Sequence, residues 1–130
     1  MKSPKGLKRV SIAIALLGVV HLALSLVAWK ANWKALPLEA SLASLFMYIG
    51  TGLWIAGSGL LLGLLGESGT SDARWPGPLA RGVSSLLLLG GLAAMALMWS
   101  DPESWLLLAL ACLARWFARK ELKPELVLED

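Results

Sequence analysis

Residues 40–65 form a run of 26 without one charged side chain. As a helix, at ~1.5 Å per residue, that run is about 39 Å long. It exceeds the ~30 Å hydrocarbon layer of a bilayer. No soluble domain this small has a core able to hide such a segment. Composition agrees: 57% of the 130 residues are hydrophobic, and 13 glycines raise the apolar share to about two thirds. Soluble domains, counted with glycine, run near ~45–50%. The expected class is therefore an all-α integral membrane protein of one domain.

Three further runs are apolar, at 10–29, 82–99 and 104–118. The last is short and contains Arg115, whose long stem can carry its charge to the headgroups. The breaks are clear: Pro37 and Glu39 precede the second run, a polar stretch from Gly66 to Pro78 follows it, and Ser100-Asp101-Pro102 separates the last two. Asp101 or Ser100 is placed to cap the final helix. Four spans make a four-helix bundle with a loose tail at 121–130. The first run is too long for a signal-peptide core and lacks a following small-x-small site, so cleavage is not expected.

Lysine and arginine set the orientation. Lys2, Lys5, Lys8, Arg9, Arg74, Arg81, Arg115, Arg119, Lys120 and Lys123 fall on one side, and Lys30 and Lys34 on the other. The positive-inside rule places both termini in the cytoplasm, N-in and C-in, of a bacterial inner membrane. The net charge of +3 therefore speaks of topology, not of nucleic acid. Cys112 is the only cysteine, so a Cys-based metal cage is excluded. No metal-ligand spacing, phosphate loop or nucleophile elbow is present. No catalytic residue, metal or resident cofactor is expected.

His21 is the anomaly, an ionisable side chain near the middle of the first span. Gly18, His21, Ser25 and Ala28 share one helix face, as do Ser41, Ser44, Tyr48 and Thr51 on the second span. Aligning the outer ends of the two antiparallel spans pairs His21 with Tyr48, Ser25 with Ser44 and Gly18 with Thr51. The expectation is a polar layer in the outer half, because an unpaired imidazole or hydroxyl in hydrocarbon is costly. His21, Ser25, Ser44, Tyr48 and Thr51 are its candidate ligand contacts.

Small residues mark packing faces. Gly52, Gly59 and Gly63 line the inner half of the second span, with Gly18 on the first and Gly90 and Gly91 on the third. This face serves packing within the chain or a homodimer seam. The Trp54 indole is expected to fill the notch at Gly90 and Gly91. Trp29, Trp33, Trp99 and Trp105 belong at the outer interface, and Trp75 and Trp116 at the inner one.

The segments Gly18-Val19-Val20-His21 and Tyr48-Ile49-Gly50-Thr51-Gly52, running on to Gly57 and Gly63, resemble small bacterial four-helix membrane proteins that are broadly DoxX-like. The resemblance covers most of the chain in layout. It implies a four-helix bundle in the inner membrane and supplies no established reaction. Three functions fit these residues. One is a non-catalytic bundle, an accessory subunit of a membrane complex or a binder of a lipid-like or quinone-like molecule. The second is a redox enzyme or subunit using His21 with Tyr48 at a haem or quinone. The third is a small dimeric transporter, disfavoured by the lack of a charged residue at mid-membrane or a broken helix.

Overall fold

A computed structural model describes residues 5–68 and 76–122, and these are helical almost throughout. Helix α1 spans Lys5–Asn32 and continues into a short 3-10 turn, Trp33–Ala35. Helix α2 spans Leu38–Ser68, α3 Pro76–Leu97 and α4 Pro102–Glu121. Lys2, Arg74, Trp75 and the tail from Lys123 lie outside the described residues.

Local chemistry explains the helix ends. Leu36, before Pro37, is extended at φ −115° and ψ 153°, as the proline ring requires. Pro76 opens α3, where a missing N–H costs nothing. The Asp101 carboxylate accepts the Glu103 N–H at 3.1 Å and caps α4, with Pro102 beside it.

Contacts between helices follow constant residue sums, the mark of antiparallel neighbours. Gly18 meets Ala56, Gly52 meets Leu22, Gly59 meets Ala15 and Gly63 meets Ser11 across α1 and α2. Gly91 meets Leu108, and Gly77 meets Leu122, across α3 and α4. Gly90 meets Trp54, joining α2 to α3. Helix α4 returns to α1: Gly6 lies under the Phe117 ring, and Glu121 accepts the Gly6 and Leu7 N–H groups at 3.0 and 2.9 Å. The result is an up-down-up-down bundle closed by α4 against α1.

The core lies towards the basic end. Leu7, Ile14 and Leu17 of α1, Ile55, Leu62 and Leu65 of α2, Leu87 of α3 and Ala111, Ala114 and Ala118 of α4 are buried. The opposite half is thinly packed: from Leu38 to Thr51 only Ser41 is buried. Phe46, Met47, Leu97 and Trp99 there are largely exposed.

Helices α1 (with its 3-10 extension), α2 and α3 are long and apolar enough to cross a membrane. Helix α4 is not, which departs from the expected fourth apolar span. Every 18-residue window in it holds at least three charges, drawn from Glu103, Arg115, Arg119, Lys120 and Glu121. It is held instead by a small-residue stripe, Ser104, Leu107, Ala111, Ala114 and Ala118, buried against its neighbours.

Candidate functional site

His21 does not meet Tyr48. The glycine contacts put Gly18 opposite Ala56 rather than Thr51, a shift of about five residues from the expected alignment. Tyr48 then stands level with Leu26 and is 43% exposed. The α1–α2 connection suggested one register, but close approach at Gly18 and Gly59 sets another. Nor do the hydroxyls pair across the interface. Ser44 Oγ donates to the Ala40 carbonyl and Thr51 Oγ1 to that of Met47, each within its own helix, at 2.8 Å. A hydroxyl one turn past a carbonyl satisfies itself locally and needs no partner helix. Ser25 is buried on α1.

The partner of His21 is Glu103. Its Oε1 lies 2.8 Å from His21 Nδ1, with the two side chains 15% and 24% exposed. Helix α4 runs antiparallel to α1, so its first turn falls at the level of His21, and the Asp101 cap fixes where that turn begins. The α3–α4 hairpin therefore ends about seven residues, roughly 10 Å, short of the α1 terminus. A polar turn, Trp99–Asp101, thus lies beside the outer half of α1. The last apolar run, beginning at residue 104, leaves Glu103 just outside it. The signal available was its place two residues after a capping aspartate, which puts it on a helix.

Facing a carboxylate, Nδ1 is the protonated nitrogen, and Nε2 is then an acceptor in the neutral imidazole and a donor in the imidazolium. A carboxylate is a stronger partner for imidazole than a phenol. The far nitrogen, Nε2, is buried and has no hydrogen-bond partner among the described residues. Leaving such an atom unpaired costs about 1–3 kcal/mol. Ser41 Oγ is buried without a partner as well. It lies nearer the outer end, where Trp29 Nε1 donates to the Ser41 carbonyl at 2.9 Å.

The remaining glycines sort by what they face. Gly18 and Gly59 admit the backbone of the partner helix, and Gly63 faces Ser11, so this surface of α2 is turned onto α1 of the same chain. Gly52 faces the Leu22 side chain. The Trp54 indole lies on Gly90, whereas Gly91 faces the Leu108 backbone; the two glycines do not form one notch. Among the described residues no three His, Cys, Asp or Glu side chains gather as a metal site.

At the end away from the basic cluster Trp29 stacks on Trp33 at 6.2 Å, and Trp105 Nε1 donates to the Trp99 carbonyl at 2.7 Å. At the other end a cleft of about 550 Å³ is lined by Arg81, Trp116, Arg119 and Lys120. Comparison with protein-family models, curated proteins and solved structures finds no match.

Proposed function

We propose that the chain is a non-catalytic four-helix bundle of a bacterial inner membrane, with both termini cytoplasmic, that binds a lipid-like or quinone-like molecule by its polar head at His21. Three membrane-length helices and the concentration of cations at one end support the setting. Helix α4 spans as the fourth, shielded by α1 and α3 and anchored by its basic last turn. The layout resembles the DoxX-like proteins, and this likeness rests on Gly18, His21 and the α2 glycines.

One observation carries the binding reading: His21 Nε2 is buried without a partner while Glu103 fixes the other nitrogen. Neutral imidazole accepts there from a ligand hydroxyl, and protonated imidazole donates to a ligand carbonyl. An amphipathic molecule entering from the outer leaflet supplies either group on an apolar body. A carboxylate-anchored imidazole is also the arrangement that orients a metal-ligating histidine. The redox reading, with haem at Nε2, therefore rests on the same atom, without help from Tyr48.

Native mass spectrometry of protein released from its membranes tests the reading. The wild type should retain a small molecule that His21→Phe loses. Equal retention by both, or none by the wild type, contradicts it. A Soret band in the visible spectrum selects the haem version, and its absence removes that version.

A further inference from the structure

We propose that the basic cleft between α3 and α4 binds the phosphodiester headgroup of an anionic phospholipid. This rests on the membrane reading above but not on the His21 site, which lies at the other end of the bundle.

The register builds the cleft. Gly77 meets Leu122 and Arg115 bonds Ser85 Oγ across the α3–α4 interface, which sets Arg81 level with Arg119. Ser85 Oγ also donates to the Arg81 carbonyl at 2.6 Å, so the deeper Arg115 is tied into the wall. Lys120 stands 4.6 Å above the Trp116 ring. The cleft, about 550 Å³, is within the ~300–1,000 Å³ range of small-molecule sites.

Its cations are uncompensated. Among the described residues no carboxylate pairs with Arg81, Arg119 or Lys120. Of the described acids at this end, Glu67 pairs with Lys8 and Glu121 accepts from the Gly6 and Leu7 amides. Helix dipoles favour Arg119 and Lys120 at the end of α4, whereas Arg81 stands in the second turn of α3, past the reach of that helix's dipole. An anion seated between Arg81 and Arg119 offsets the repulsion of their like charges.

A phosphodiester fits that anion. Its two free oxygens match the guanidinium forks, and Trp116 lies at the depth where aromatic rings meet the glycerol region. A zwitterionic headgroup carries its own cation, which Arg81, Arg119 and Lys120 repel. An anionic one, such as phosphatidylglycerol, does not.

The test uses the full chain in nanodiscs of mixed phosphatidylcholine and phosphatidylglycerol, read by native mass spectrometry. Wild type should retain phosphatidylglycerol selectively. Arg81→Gln with Arg119→Gln should weaken that retention roughly 10–30-fold, while Lys30→Gln with Lys34→Gln, removing equal charge from the other end, should not. Arg119→Lys keeps the charge but not the fork. It should lose part of the selectivity, which covers the case in which the double variant misfolds. Equal retention of both lipids, an equal loss in the Lys30 and Lys34 variant, or binding of inorganic phosphate without lipid selectivity overturns the proposal. Failure of the chain to enter nanodiscs overturns the membrane reading and this proposal with it. Insertion without selectivity overturns this proposal alone.

Discussion

Gly59→Ala is the sharpest probe of the fold. A Cβ at Gly59 would stand 2.5 Å from the Ala15 nitrogen, 2.8 Å from the Ser11 carbonyl oxygen and 2.9 Å from the Ala15 Cα. All three are backbone atoms, so no side chain can swing aside. Ordinary contact begins near 3.4 Å, and α1 and α2 must separate by about 0.9 Å. Overpacking of this kind costs about 1–3 kcal/mol. Alanine also gains about 0.5–1 kcal/mol of helix propensity over glycine. Gly57→Ala gives the control, because a Cβ there meets nothing within 4 Å. The propensity gain is common to both and cancels in their difference, which leaves Gly59→Ala less stable than Gly57→Ala by about 1–3 kcal/mol. Unfolding by SDS titration in mixed micelles measures that difference. Equal stability of the two variants would refute the close α1–α2 approach.

Other expectations follow from single contacts. Glu103→Ala should cost about 1.5–3 kcal/mol, and a double-mutant cycle with His21→Phe should show most of that as coupling. Glu121→Ala removes the acceptor of the Gly6 and Leu7 N–H groups; it should cost about 0.5–2 kcal/mol and speed hydrogen exchange at those two amides. Gly90→Leu should be rescued by Trp54→Ala, whereas Gly91→Leu should not, because a Cβ at Gly91 would stand 3.1 Å from the Leu108 Cα. Melting temperatures of the three single and two double variants decide it.

The helices and their order were legible in sequence because each rests on a local signal. Uncharged runs set α1, α2 and α3. Pro37 and the Asp101-Pro102 pair set ends, whereas Pro76, inside the stretch read as a break, opens α3 six residues before the expected run at 82. The Trp54 contact was half legible: depth matched the indole to Gly90, but neighbouring glycines point about 100° apart on a helix, and Gly91 turns to α4. The α1–α2 register was missed by about five residues. The outer ends were aligned as though the connection governed packing, whereas the helices approach most closely at Gly18 and Gly59. The His21 partner was missed for a different reason. It comes from a helix 82 residues away, and nothing local marks how far the α3–α4 hairpin reaches. Serine and threonine at helical spacing suggested a cross-helix layer, but Ser44 and Thr51 bond their own helix.

The proposed ligand binding rests on one nitrogen, His21 Nε2. His21 is the only histidine, so selective ¹⁵N-histidine labelling in bilayers reports one imidazole. The account predicts a protonated, hydrogen-bonded Nδ1 that changes in Glu103→Gln. It also predicts an Nε2 resonance that moves on adding the lipid and quinone extract of the native membrane. An Nδ1 indifferent to Glu103→Gln, or an Nε2 unmoved by the extract, contradicts it.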